Sequence, residues 1–289
     1  MSVVEHRLRI PWREPWRGDA FREVLLLEGP AGWGEASPLP GYPCSPEVAY
    51  AAAREQAVIG PPQAVRGTIA VNALVRDRAF DPAELVGFPC VKVKVGGDPD
   101  DDDALVARVR DAVGPSTAIR VDANGAWDVE TAVAVITRLA RHDLELVEQP
   151  VASLEDLARV RRRVPVPVAA DESVRDVEDA RQLARLGAAD AVVLKVQPLG
   201  GTRAALRVAE AAGVPAIVTS MFETSIGLAA GVALAAALPA RPWACGLATI
   251  DLLAGDVCRP SVRPVDGTLN VRVVAPDPEL LERYRVSTS

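Results

Sequence analysis

The amino-acid sequence predicts an α/β protein: a TIM-like parallel β/α barrel with a small α+β cap built from both chain ends. Three observations point there. From residue 68 onward, short apolar runs alternate with helical stretches at the spacing of one βα unit. Three of those runs end in a carboxylate at nearly equal intervals. The chain holds only three lysines against 29 arginines, and each lysine sits inside an apolar run. An open doubly wound sheet is the competing arrangement, but it usually has fewer strands and carries a glycine fingerprint after its first strand, which is absent here.

The elements follow in order. Residues 3–10, 23–28 and 32–36 read as an antiparallel meander with Pro/Trp/Arg/Gly-rich turns. A helix over 46–58 follows, with Ser45 as its N-cap. Residues 1–67 thus supply the N-terminal part of the cap. The barrel spans 68–255, with strands expected at 69–74, 91–95, 118–122, 144–148, 166–171, 191–195, 216–220 and 243–247. Helices over 103–113, 129–141, 154–163, 177–186 and 202–212 fill the gaps, and right-handed crossovers then close the sheet. The acidic run 98–103 opens a helix, where carboxylates complement the macrodipole; that reading is preferred to a metal site. The Ala-rich stretch 226–239 is too short to cross a bilayer and reads as a buried helix. Residues 256–289, with a hairpin around Asp266-Gly267 and a helix over 278–284, are expected to pack back on the cap.

Composition narrows the function. At 49% apolar and 25% charged residues the chain is an ordinary globular protein. A net charge of −7 argues against nucleic acid or an anionic membrane as partner and says nothing positive about the substrate. Cys44, Cys90, Cys245 and Cys258 show neither metal spacing nor a disulfide framework, and no secretory leader is read at the N-terminus, so reduced thiols in a cytoplasm are expected. His6 and His142 offer no catalytic base, and no P-loop, dinucleotide fingerprint or Ser/His/Asp arrangement is found.

The chemistry lies elsewhere. Asp122, Glu148 and Asp171 end successive strands, 26 and 23 residues apart; Lys94 stands 28 before the first and Lys195 24 after the last. Each interval is about one βα unit, so all five groups fall at the C-terminal mouth, where barrel enzymes place their chemistry. Lys92 and Lys94 differ by two and point to the same side; Val91, Val93 and Val95 then face the outer helices. Three carboxylates converging in a half-buried mouth repel one another unless a hard divalent cation neutralises them, and all-oxygen ligation favours Mg²⁺ over zinc. Lys92 beside Lys94 is expected to be a like-charge pair that lowers one amine's affinity for its proton. Such an arrangement suits proton removal α to a carboxylate, the cation stabilising the enediolate.

The Lys-x-Lys of one strand, the Asp/Glu/Asp series and the later lysine resemble the enolase superfamily, in its muconate-lactonising subgroup. Within it, residues 120–127 (RVDANGAW), 220–227 (SMFETSIG) and 246–252 (GLATIDL) are similar to the o-succinylbenzoate synthase family. The resemblance implies a modified (β/α)7β barrel with a two-ended cap. It implies Asp122, Glu148 and Asp171 as Mg²⁺ ligands, Lys94 as acid/base, Lys92 tuning it, and Lys195 stabilising the enediolate from the opposite face. It puts Arg120, Asn124, Ser220, Met221, Phe222 and Gly246 near a carboxylate substrate. Trp12, Trp16 and Arg17, on the loop between the first two strands, are candidates to close over it. The implied activity is dehydration of 2-succinyl-6-hydroxy-2,4-cyclohexadiene-1-carboxylate to 2-succinylbenzoate, in menaquinone synthesis. The alternative is an N-acylamino acid racemase or dipeptide epimerase using Lys94 and Lys195 together. Such an epimerase carries an Asp-x-Asp pair on its last barrel strand, and residues 244–248 have none. A non-catalytic binding barrel would have lost an amine, and none is lost.

Overall fold

The computed structural model describes residues 2–239 and 243–286. The chain opens with β1 (Val4–Trp16) and β2 (Asp19–Gly29), an antiparallel hairpin that β3 (Gly32–Ala36) extends into a three-stranded sheet. On β1 the alternation of Leu8, Ile10 and Trp12 with Arg7, Arg9 and Arg13 buries one face and solvates the other. The first strand is longer than the sequence suggests. Trp12 and Trp16 belong to β1 itself, and only Arg17 and Gly18 make the turn, both at positive φ (50° and 91°).

Helix α1 (Pro46–Ile59) starts at Ser45, whose hydroxyl accepts from Val48 N at 3.3 Å. Its buried stripe is alanine: Ala49, Ala52, Ala53 and Ala57. The stripe lies so close to β3 that a β-carbon at Gly34 would run into the Ala53 carbonyl.

The barrel then runs β4 (Thr68–Ala70), β5 (Asn72–Val75), β6 (Cys90–Lys94), α2 (Pro99–Val113), β7 (Ala118–Asp122) and α3 (Val129–Leu139). It continues through β8 (Leu144–Glu148), α4 (Leu154–Arg161), β9 (Val168–Ala170), α5 (Val177–Leu186) and β10 (Ala191–Leu194). The remaining barrel elements are α6 (Thr202–Ala212), β11 (Ala216–Val218) and α7 (Ser225–Ala237); β12 (Thr268–Asn270) and α8 (Pro278–Tyr284) end the described chain. Strands β5 to β11 form one parallel seven-stranded sheet, each paired with its sequence neighbours.

Two expectations change here. The strand expected at 69–74 splits: β4 pairs antiparallel with β12, and β5 alone enters the barrel. The eighth strand expected at 243–247 shrinks to two parallel bridges, Val71 with Cys245 and Thr219 with Gly246, which link the two edges of the sheet. Backbone bonds from Asn72 N to Cys245 O (3.0 Å) and Ser220 N to Gly246 O (3.0 Å) complete the closure. After β5 a single 3-10 turn, Pro82–Leu85, stands where a barrel helix would.

The acidic run caps α2 as expected. Asp98 accepts from Asp100 N and Asp101 N, while Asp102 and Asp103 are buried ties to Gly96 N and to the Arg138/Arg141/His142 cluster. Helix α7 is apolar nearly all round because it packs against β11 on one side and cap strand β3 on the other. At the C-terminus, α8 lies on β1, with Val286 N bonded to Arg7 O at 2.9 Å. The 265–268 hairpin turns through Asp266 and Gly267, both at positive φ, and feeds β12 to β4. All four cysteines are free, and among the described residues no helix is long and apolar enough to cross a membrane.

The α1–β3 contact generates one expectation. Gly34→Ala sets a methyl against backbone that cannot swing aside, and overpacking of that kind costs about 1–3 kcal/mol. A urea titration should show the midpoint falling by that equivalent; an unchanged midpoint would mean the helix is free to lift off the sheet.

Candidate active site

Parallel register assembles the site. Across β6 and β7, Lys92 is opposite Arg120 and Lys94 opposite Asp122; across β7 and β8, Asp122 is opposite Glu148. Asp171 follows β9 by one residue and Lys195 follows β10 by one. All five chosen groups therefore meet at the C-terminal mouth. Lys92 Nζ lies 2.8 Å from Asp122 Oδ2 and 2.7 Å from Glu148 Oε1. Lys94 Nζ lies 2.6 Å from the same Asp122 Oδ2 and 2.8 Å from Asn124 Oδ1. Lys195 grips both oxygens of Asp171 and sits 3.1 Å from the Tyr42 hydroxyl.

The like-charge pair expected of Lys92 and Lys94 does not arise, because Asp122 Oδ2 lies between the two amines. Burial weakens the hold of Lys92 on its proton, but Asp122 and Glu148 outweigh it and hold the ammonium well above its ordinary range. Lys195 is held high in the same way, chiefly by Asp171 against burial. At Asp122 burial opposes ionisation, yet Lys92 and Lys94 together keep its carboxyl below the usual carboxylate range. Glu148 goes the other way: burial, then the Asp122 charge, pushes it up to about 8.

Lys92, Lys94, Lys195, Asp122 and Asp171 floor a cavity of about 680 Å³, while Glu148 is buried and does not line it. Asn124, Ser220, Met221, Phe222 and Gly246, expected near a substrate, all line it. Arg120 does not. Its guanidinium points inward but one layer lower, bonded to Glu145 Oε2 and Ala244 O (both 2.6 Å) and stacked on Trp243. The cause is local: the β7–β8 register slips between Ile119 and Arg120, which gives Glu145 to the arginine. Four buried polar atoms without a hydrogen-bond partner belong to cavity-lining residues: Trp16 Nε1, Asn72 Oδ1, Glu172 Oε2 and Thr219 Oγ1. Buried groups of this kind are rare unless a ligand completes them.

Several residues escaped the sequence reading. Tyr42 reaches in from the cap and donates to Asp171 Oδ1 at 3.2 Å. Gln149, at φ 38°, accepts from Asp171 N at 2.6 Å and from the Ser173 hydroxyl at 3.0 Å, which fixes the third carboxylate. Glu172 accepts from Asn124 Nδ2 at 2.8 Å. Glu172 could have been suspected from its place beside Asp171; Tyr42 has no local signal.

Comparison with known proteins agrees with this geometry. Residues 8–57 match the enolase N-terminal domain-like family and residues 75–277 the enolase C-terminal domain-like family. An o-succinylbenzoate synthase of Thermobifida fusca is 53% identical over 275 residues, covering 92% of this chain and 86% of its own. The chain belongs to the o-succinylbenzoate synthase family of the enolase superfamily. A further member of the family, from Mycobacterium marinum, is 42% identical over 96% of this chain and 86% of its own. Among solved structures, muconate lactonizing enzyme from Pseudomonas fluorescens, complexed with muconolactone, superposes with a TM-score of 0.85 at 25% identity, covering 99% of this chain and 98% of that one.

Enolase superfamily enzymes use a divalent metal ion, and the donor chemistry here fits one. Asp122, Glu148, Asp171 and Glu172 bring four carboxylates against the three amines of Lys92, Lys94 and Lys195, so one negative charge lacks a partner. Glu172 Oε2 has no hydrogen-bond partner among the described residues. As the side chains stand, the amines hold the carboxylates apart, and among the described residues no three His, Cys, Asp or Glu side chains are gathered closely enough to hold an ion.

Beside the site, a second buried network joins cap to barrel. Arg22 on β2 donates to Ser37 O, to Pro38 O (3.0 Å) and to Met221 O (3.0 Å). Glu35 accepts from Ser37 Oγ, Thr224 Oγ1 and Gly227 N, and Gln197 bridges Ser37 to Glu223. Burial, then the Glu35 charge, pushes the Glu223 carboxyl up to about 7.

That raised value sets a pH dependence. The unfolded chain ionises this carboxyl near 4.5, whereas the fold keeps the proton to about 7. The associated stability is therefore complete below 4.5 and lost as pH rises through 7, a difference of up to roughly 3 kcal/mol. Chemical denaturation between pH 4.5 and 8 should show Glu223→Gln flattening that decline relative to wild type. Parallel curves for the two proteins would remove Glu223 as its source.

Proposed function

We propose that this protein is a Mg²⁺-dependent lyase that dehydrates 2-succinyl-6-hydroxy-2,4-cyclohexadiene-1-carboxylate to 2-succinylbenzoate, a step of menaquinone synthesis carried out in the cytoplasm. The observation that carries the reading is the pairing of lysines and carboxylates around one cavity floor, in a chain 42–53% identical to relatives named o-succinylbenzoate synthase. Asp122, Glu148 and Asp171 would hold the cation. When bound, it would offset the second negative charge that a substrate carboxylate gains as its α-proton leaves.

The residues divide the remaining work. Lys94 has a side chain 29% exposed, against 10% for Lys92 and for Lys195, so it is the amine open to substrate. It takes the proton from the ring carbon that bears the carboxylate. Returned to the departing C6 hydroxyl, the same proton lets water leave, and the ring becomes aromatic with no oxidant needed. Lys92, held between Asp122 and Glu148, stays charged and fixes both carboxylates. Lys195 stays charged under Asp171 and Tyr42 and faces the developing negative charge from the opposite side. Those ties also weigh against racemisation, which would need Lys195 to give and take a proton as freely as Lys94.

Incubation of purified protein with the cyclohexadiene carboxylate and Mg²⁺ should give the ultraviolet change of aromatisation. Lys94→Ala is expected to lower kcat by about 10²–10⁴, the usual worth of a positioned acid/base. A chelator should abolish turnover, and added Mg²⁺ should restore it. Wild-type turnover by Lys94→Ala would end this mechanism. Exchange of the α-proton of N-succinyl amino acids in D₂O, with no dehydration, would transfer the assignment to a racemase.

A further inference from the structure

We infer that Glu172 and Asn124 form a relay that aims Lys94: Glu172 locks the Asn124 amide, and the locked amide, together with Asp122, leaves the lysine a single free bonding direction. Both are positioning residues. The inference rests on the lyase reading above and deepens it by naming what orients the working amine.

The hydrogen bonds around Lys94 carry the argument. Its Nζ donates to Asp122 Oδ2 at 2.6 Å and to Asn124 Oδ1 at 2.8 Å. An ammonium has three N–H groups on tetrahedral directions. Two are taken, and among the described residues the third has no acceptor, although Lys94 lines the cavity. Once Lys94 has given up a proton, the same two acceptors hold its remaining N–H groups, and its lone pair takes the third direction. The amine therefore meets substrate with its proton or lone pair already aimed, and no motion of its long stem has to be frozen at the moment of reaction.

Only one orientation of the Asn124 amide serves this purpose. Its Nδ2 donates to Glu172 Oε1 at 2.8 Å. An ionised carboxylate only accepts, so Glu172 draws the NH2 end to itself and turns the carbonyl oxygen toward Lys94. With an apolar residue at 172 the amide could flip and set two donors against an ammonium. The two residues stand at different strand ends, Asn124 two beyond β7 and Glu172 two beyond β9, 48 positions apart in the chain.

Turn geometry accounts for an asparagine at 124 but not for its partner. Asn124 has φ 46°, a left-handed conformation that Asn tolerates better than most side chains. Its N–H donates to Asp122 Oδ1 at 3.0 Å, and Gly125 N donates to Gln149 O at 2.7 Å. Those bonds fix the backbone and would do so with glycine at 124; they leave the side-chain amide free to rotate. Glu172 is what stops it. The other oxygen of Glu172 is buried without a partner, so the carboxylate makes its one protein hydrogen bond to Asn124.

Kinetics and crystallography of the Mg²⁺-loaded protein test the relay. Glu172→Leu, which deletes the acceptor, should lower kcat by about 10–100-fold, the scale of a misaimed catalytic group, while KM and the calorimetric affinity for 2-succinylbenzoate change less than about twofold. Glu172→Gln keeps an oxygen that can accept from Asn124 and should recover most of that loss. Asn124→Gly keeps the left-handed turn and removes the amide; it should match Glu172→Leu, and the double variant should be no worse than either. In a Lys94→Ala background, Glu172→Leu should alter the residual rate by less than about twofold, because the group it aims is gone. A crystal structure of Glu172→Leu should show Lys94 Nζ out of hydrogen-bonding reach of Asn124 Oδ1. Wild-type kcat in Glu172→Leu overturns the relay, as does an equal loss in Glu172→Gln or a full loss added on top of Lys94→Ala. A fall in Mg²⁺ affinity in Glu172→Leu overturns it too, since Glu172 would then hold the cation. If the wild type does not dehydrate the substrate, the lyase reading falls by itself; the crystal structure of Glu172→Leu still judges the relay, and an unmoved Lys94–Asn124 contact ends it.

Discussion

The structure depends on one electrostatic constraint: three carboxylates are buried, and a fourth half-buried, at the mouth of a barrel whose walls are valine, leucine and alanine. Isolated buried charges cost several kcal/mol each, so acids and amines must arrive together. Parallel register does most of this. Strands β6, β7 and β8 set Lys94, Asp122 and Glu148 in one row, and the residues just after β9 and β10 add Asp171 and Lys195. The same geometry explains why lysine, absent everywhere else in the chain, stands at 92, 94 and 195. An arginine fork is always charged and cannot hand over a proton, whereas an ammonium on a flexible stem can.

Pairing of charges alone would give a rigid, inert floor. What distinguishes the three amines is how tightly each is held. Lys92 and Lys195 are enclosed by acids that keep their protons on, and Lys94 shares its acid with Lys92 while its stem remains partly open to the cavity. The difference is set by position along the strand. Lys92 lies one pleat deeper than Lys94, and Lys195 lies beneath the cap residue Tyr42. One strand therefore presents a fixed cation and a working amine two residues apart.

Much of this was legible in the sequence because both barrel position and side-chain direction follow from counting. Strand ends recur once per βα unit, and residues two apart share a face, so Asp122, Glu148, Asp171, Lys94 and Lys195 could be placed at one mouth before any coordinates. Counting fails where register slips or the chain returns from afar. Arg120 obeys the alternation and faces inward, but the irregularity opposite it delivers Glu145 and removes the arginine from the cavity. Tyr42 lies 129 positions from the acid it touches, in a segment whose only local signals are turn residues. The eighth strand was overestimated because its apolar run looks like the others, while its pairing amounts to Cys245 and Gly246 alone.

The cap enters the site through a device that sequence patterns do not reveal. Arg22, from the middle of β2, holds backbone carbonyls of Ser37 and Pro38 on one side and of Met221 on the other. Ser37 and Pro38 lead directly into the cap segment that carries Gly41 and Tyr42; Met221 and Phe222 form the facing wall of the barrel. A single guanidinium thus sets the spacing between the two walls, and Glu35 with Glu223, reached through Ser37 and Gln197, keeps its surroundings polar enough to bury it. Cavity width and floor chemistry thus rest on different interactions, one on hydrogen bonds to backbone carbonyls at the cap junction and the other on strand register, with Tyr42 as the contact between them. A barrel built this way can keep its lysines and acids unchanged while residues on the cap and the mouth loops decide which carboxylate fits between the walls.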